Sequence, residues 1–269
     1  MAINFKETKK SLEARIDIHN KYGTKNIDSW MLDLLDLRKG IKVLDLGCGT
    51  GKQSFIIEDF LDKECNIIGG DESEILIEKA IKENTSRNGK VTFIKSDFDE
   101  VMPFENKSFD LVTSCFAIYY ADDIKFTIKE IFRVLRNGGV LFLSGPMPNN
   151  KLEFNRIIEI AASAKVPPLT GSSRFTTEIL NAVVDEFEII KLEVFKNRVV
   201  FPSAEPFVTY AESILSEKRN VYAALFENNE FNEVIKKVEI LAEKEIMEKG
   251  EIVMTKVVGG IIATKNGLY

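Results

Sequence analysis

Residues 43–51 read VLDLGCGTG, and no other stretch limits the fold as much. A run of valine and leucine is a short buried strand of a parallel sheet. It carries an acid, Asp45, and three glycines then alternate over five positions. A turn of this kind, leading from strand to helix, lets a ligand lie against bare backbone. Three kinds of glycine loop compete for the pattern. A P-loop needs G-x-x-x-x-G-K-[ST]; Leu46 stands where its first glycine belongs and Gln53 where its hydroxyl belongs, so that reading fails. A pyrophosphate turn, G-x-G-x-x-G, is met at Gly47 and Gly49 but not at Lys52, and stays open as a poorer match. An acidic strand end followed by G-x-G-x-G fits without a gap.

Strand and helix patterns alternate on either side of this loop. IKVLDL, NIIGG, VTFIKS, FDLVTSCFA and GGVLFLSG read as strands. Helices are expected after Gly51, where Thr50 and Gln53 stand in capping-box register, and from Ser73, whose neighbours Glu72 and Glu74 suit a helix start. DIKFTIKEIFRVL and NKLEFNRIIEIAASA are further helices. Repeated βα units of this length predict an α/β fold, a mostly parallel sheet with helices on both faces. Two helical stretches, about 5–21 and 27–37, precede it. After Pro168 the rhythm changes: a long strand over 187–201, helical segments over 204–249, and a last strand over 251–265. Two terminal strands around a helical insertion predict a sheet edge carrying a cap. Residues 1–269 therefore read as one domain, with an N-terminal helical segment (1–39), a binding core (40–145) and a cap (204–249).

Composition narrows the function classes. The net charge is −6, so no overall basic field recruits nucleic acid or an anionic membrane. One histidine and three scattered cysteines offer neither a metal centre nor a disulfide framework. The opening MAINFKETKK has no apolar stretch of the kind a signal peptide needs, and no apolar run is long enough to span a bilayer. A cytoplasmic protein without metal, monomeric or homodimeric, is the expectation.

VLDLGCGTG, an acid closing the second strand (Asp71), the acid–aromatic pair Asp97-Phe98 after the third, PFENKSFDLV (103–112) and RVLRNGGVLFL (133–143) together carry a resemblance. They resemble the class I S-adenosylmethionine-dependent methyltransferases, and within them the small-molecule enzymes. The resemblance implies a Rossmann-like sheet of seven strands with the last antiparallel. It implies S-adenosylmethionine across the carboxyl ends of the first strands, with S-adenosylhomocysteine as product. Gly47, Cys48 and Gly49 would give the cofactor their backbone, and Asp71 would accept the ribose hydroxyls. Asp97 would take the adenine amino group and the Phe98 backbone a ring nitrogen. Ser114, Cys115 and Phe116 would line the methionine moiety. Gln53, Glu72 and Ser96 complete the expected set, and Asp45 would orient the loop or meet the methionine amine.

Near the transferring methyl the candidates are aromatic. Phe116, Tyr119 and Tyr120 follow the fourth strand, where aromatic faces suit a sulfonium. In the N-terminal helix Arg15, His19 and Tyr22 fall at i, i+4 and i+7, on one face. The resemblance implies that Tyr22 meets the methionine tail and Arg15 the cofactor carboxylate. His19 has the unperturbed pKa of a general base for an acceptor hydroxyl. The catalytic candidates are thus His19, Tyr22 and Tyr119. A hydroxyl or amine of a small molecule is the expected acceptor; a protein acceptor, a non-catalytic cofactor-binding role and a nucleotide-dependent oxidoreductase are the alternatives.

Overall fold

The computed structural model describes residues 17–19, 21–168, 170–217, 222–226 and 230–266. Among the described residues seven strands form one sheet in the order β3-β2-β1-β4-β5-β7-β6. They are β1 (Lys42–Leu46), β2 (Asn66–Asp71), β3 (Thr92–Lys95), β4 (Phe109–Cys115), β5 (Leu135–Pro146), β6 (Ile189–Phe201) and β7 (Ile252–Thr264). β1 pairs in parallel with both β2 and β4, and β7 runs antiparallel between β5 and β6. The chain therefore turns away in opposite directions on the two sides of β1. The crevice at its carboxyl end is where open α/β sheets take ligands. This is the expected Rossmann-like sheet.

Each face has its own core. On one lie α1 (Ile27–Leu34), α2 (Lys52–Phe60) and α3 (Glu74–Ser86), burying Met31, Ile57 and Ile77 against Val43, Ile67 and Leu111. On the other, α4 (Ile124–Val134) presents Ile124, Ile128, Ile131 and Val134 as one buried stripe, the spacing of an amphipathic helix. Each such isoleucine removed from water contributes roughly 1.5–3 kcal/mol. Asp123 caps the helix by accepting from the Phe126 N–H.

Beside α4 runs α6, a continuous helical stretch over 170–186 with a π-turn, Phe175–Ile179, in its middle. Sequence patterning leaves this stretch unassigned. Its opening TGSSR has no apolar stripe, and the periodicity starts only at Phe175.

A third core stands above the sheet. β6 and β7 are each 13 residues long, and β5 stops pairing at Pro146↔Val258. The two strands continue together from Lys196↔Val257 to Phe201↔Ile252, a ribbon about 20 Å long beyond the sheet. Against that ribbon pack α5 (Leu152–Ala162), α7 (Ala204–Glu217) and α8 (Phe231–Lys249), burying Phe154, Tyr210 and Val238. The helical cap over 204–249 is thus accompanied by α5, which patterning places on a sheet face.

Two local expectations are corrected. Thr50 makes no capping bond: α2 starts at Lys52, with Gly51 in the left-handed region at φ +85° and no side-chain cap. β5 begins at Leu135, not Gly138, because the ladder slips between Phe109 and Leu111 and admits extra residues before Val140. Of the first predicted helix only 17–19 and 21 are described, and these, with Tyr22 after them, are helical; the remainder, with Arg15, lies outside the described residues.

Candidate active site

The glycine loop is pinned to β2 from both sides. The Gly47 and Cys48 N–H groups donate to the Gly70 carbonyl at 2.8 and 3.0 Å, and the Gly49 N–H donates to Asp71 Oδ2 at 2.9 Å. Asp71 Oδ1 accepts from the Ser73 N–H at 2.9 Å. One carboxylate thus ties the loop to the start of α3. Each of its oxygens retains a second lone pair, because an ionised carboxylate has about four acceptor sites. Gly47 needs its glycine twice over: φ is +69°, and a Cβ would come within 2.2 Å of the Ala117 Cβ and 2.9 Å of the Phe98 ring.

Asp45 sits beneath the loop, buried. Ser54 donates to its Oδ2 at 2.6 Å and Thr113 to its Oδ1 at 2.9 Å, so β1 is fastened to α2 and β4. Burial pushes its carboxyl up to about 6, against the downward pull of those two hydroxyls. Burial likewise raises both nearby thiols, Cys48 strongly and Cys115 to about 12, so neither is a thiolate nucleophile at neutral pH.

Around the crevice the acids gather. Asp97 follows β3 and accepts from the Asp99 N–H at 2.9 Å; Ser96 donates its N–H to the Asp71 carbonyl at 3.1 Å. Partial burial, and after it the carboxylates of Asp97, Asp71, Asp99 and Asp122, holds the Glu72 carboxyl above its usual range. Phe98 is fixed by its carbonyl, which accepts from Thr127 at 3.1 Å. Phe116 closes β4 with φ +57°, unusual for a residue with a side chain, and its ring carries the Lys256 ammonium 5.5 Å from its centre.

Two buried polar atoms of this set, Ser114 Oγ and Gln53 Oε1, have no hydrogen-bond partner among the described residues. Buried polar atoms are normally paired, so both point to a polar ligand. Together with the backbone-lined glycine loop and the acids at successive strand ends, they fit a nucleoside bearing an amino-acid tail.

The N-terminal candidates separate. His19 lines a cleft of about 460 Å³ with Asn26, Asp28, Lys52, Phe195 and Lys256, and its ring meets Tyr210 edge-on at 5.7 Å. Tyr22 lines a smaller groove of about 320 Å³ with Lys21 and Glu205, and its ring leans on Phe201 at 5.6 Å. They do not share one site face. Tyr119 is buried in the core under α6, where a Cβ on Gly171 would touch its ring, and Arg174 donates to its carbonyl at 2.8 Å. Tyr120 is the more exposed of the pair.

Sequence reasoning missed the cleft's other walls. Lys52 pairs with Asp28 at 2.9 Å, joining α1 to the start of α2. Buried Asn197 accepts from the Thr24 and Lys25 N–H groups at 2.9 and 3.0 Å and donates to the Lys25 carbonyl at 3.0 Å. No short motif marks these residues. The one available signal is the length of the strands at 187–201 and 251–265, which outrun the rest of the sheet.

Comparison with known proteins gives a consistent result. The model of a family described as a methyltransferase domain matches residues 37–258. A sterol 24-C-methyltransferase of Aspergillus fumigatus is 36% identical over 188 residues, 67% of this chain and 48% of that protein. A demethylmenaquinone methyltransferase of Lactococcus lactis is 37% identical over 103 residues, 37% of this chain and 40% of that one. The chain thus spans about half the length, or less, of these relatives. Among solved structures, phosphoethanolamine N-methyltransferase 2 of Haemonchus contortus, with phosphomonomethylethanolamine and S-adenosylhomocysteine, shares the fold. The TM-score is 0.56 at 17% identity, over 97% of this chain and 58% of that one.

Proposed function

Because this chain belongs to the methyltransferase-domain family, we propose that it binds S-adenosylmethionine along the carboxyl edge of β2, β1 and β4 and methylates a small molecule. The observation that carries this reading is the convergence of the glycine loop, Asp71 and Asp97 on one crevice. In it Asp71 takes the ribose hydroxyls, Asp97 the adenine amino group and the Phe98 N–H a ring nitrogen. Ser114, Cys115 and Phe116 border the methionine moiety, with Gln53, Glu72 and Ser96 completing the wall. Asp45, with both oxygens already engaged, orients the loop.

When bound, S-adenosylmethionine supplies a sulfonium-activated methyl group for in-line displacement, a reaction in which alignment carries most of the rate. The protein's part is to hold the acceptor. The cleft beside His19 has the volume of a small-molecule site and adjoins Phe116 through Lys256. Its Lys25, Asn26, Asp28, Lys52 and Asn197 favour a polar acceptor, a hydroxyl or amine carrier, over the sterol carbon in one relative's name. His19 is the group in that cleft suited to remove the acceptor's proton.

Mass spectrometry of ligand released from the purified protein tests the reading. S-adenosylmethionine or S-adenosylhomocysteine is expected; nicotinamide dinucleotide would replace the proposal with an oxidoreductase.

A further inference from the structure

The two outer strands of the sheet end it differently. β3 is four residues long and carries Lys95, a short and charged edge that resists pairing. β6 is 13 residues long, with an unbroken register to β7 and no proline. Among the described residues only its upper part is engaged: Gly23 bridges Val199, and the Thr24 N–H donates to the Arg198 carbonyl at 2.9 Å. Below that point no strand among the described residues pairs with its outer side. Backbone groups alternate in direction along an antiparallel ladder, so the outward carbonyl of Arg198 sets the pattern. The N–H and C=O groups of Lys196, Val194, Leu192 and Ile190 face outward too. Leu192 and Val194 are 47% and 44% exposed beside them.

This open stretch is complementary to itself. Run antiparallel against a second copy with Leu192 opposite Leu192, the segment places Ile190 opposite Val194 and Lys191 opposite Glu193. Each match occurs twice about the two-fold axis, as an isologous contact requires. Outward-facing residues meet outward-facing residues, so the backbone bonds form in the same register. Centring the axis on Val194 instead would set Glu193 against Phe195 and Leu192 against Lys196, losing both matches. Lys191 and Glu193 lie within ion-pair distance in the single chain, at 2.8 Å, and are solvent-accessible enough to exchange partners.

We propose that the lower edge of β6 is a homodimer interface, in which a second copy of this chain adds its own β6 antiparallel about Leu192. Cross-strand pairs of opposite charge are individually weak, but they set register, and like charges directly opposite disfavour pairing. The two sheets then join edge to edge, and the clefts at their carboxyl edges stay separate.

Two single charge reversals of the full chain provide the test. Lys191→Glu leaves two acids at 191 and 193, and Glu193→Lys leaves two lysines. Either alone sets like charges opposite one another at the interface. Sedimentation equilibrium at tens of micromolar should give the wild type twice the 30.4 kDa chain mass and each variant a dimer at least about 10-fold weaker. Mixing the two variants restores complementary pairs and should restore the dimer as a heterodimer. Circular dichroism confirms that each variant is folded. A monomeric wild type overturns the proposal. So does a dimer indifferent to both reversals, which would place the contact elsewhere, or a mixture no tighter than its components.

Discussion

Asp45 and Asp71 are both acids at the ends of neighbouring strands, and their surroundings give them different work. Asp71 keeps acceptor capacity toward the crevice; Asp45 is buried with both oxygens engaged. Its folded pKa, about 6, lies above the unfolded value of about 3.9, so ionising it opposes folding. Below about pH 4 both states hold the proton and no penalty exists. As pH rises through 6 the stability contributed by the protonated form is lost, up to about 3 kcal/mol. Asp45→Asn keeps one acceptor and offers the other hydroxyl a donor, without the charge. Its stability relative to wild type should therefore improve by about 2 kcal/mol between pH 4.5 and pH 8 in urea unfolding. A difference that does not change with pH would contradict a buried, raised Asp45.

Elements decide what surrounds the crevice, and here the sequence was legible unevenly. β1, β2 and β4 were readable because apolar runs bounded by glycine and acid leave few alternatives. The cap helices were readable from the change of rhythm after Pro168. The helical stretch over 170–186 was not, since its first turn is polar and its π-turn shifts the apolar phase at Phe175–Ile179. Nor could spacing show that the β6–β7 ribbon overshoots the sheet and carries Asn197 and Lys256 to the cleft. Asn197 is the clasp between that ribbon and the N-terminal segment. Asn197→Ala removes four hydrogen bonds and should accelerate amide exchange at Thr24 and Lys25 by about 10-fold or more, leaving β1 and β4 protected. Unchanged exchange at those two amides would mean the segment is held by other contacts.

For the whole molecule, the order of the strands explains why residues around the proposed cofactor crevice can be placed from sequence and those around the proposed acceptor cleft cannot. The proposed cofactor residues come from strand ends next to one switch point, each within a few positions of a turn signal. The proposed acceptor cleft combines the N-terminal segment, α2 and two distant strands, which only the folded chain brings together. Tyr22 and Tyr119 illustrate the same limit: helical spacing and nearness to β4 do not determine which wall a ring joins. In the proposed function the crevice holds the nucleoside of S-adenosylmethionine, with Asp71 on its ribose. Titration calorimetry with S-adenosylhomocysteine and with NAD tests it most directly, on wild type and on Asp71→Ala. Binding of S-adenosylhomocysteine alone is expected, weakened in the variant by about 1–3 kcal/mol as ribose hydroxyls lose their acceptor. Heat from NAD and none from S-adenosylhomocysteine, or equal affinity in the two proteins, would contradict it.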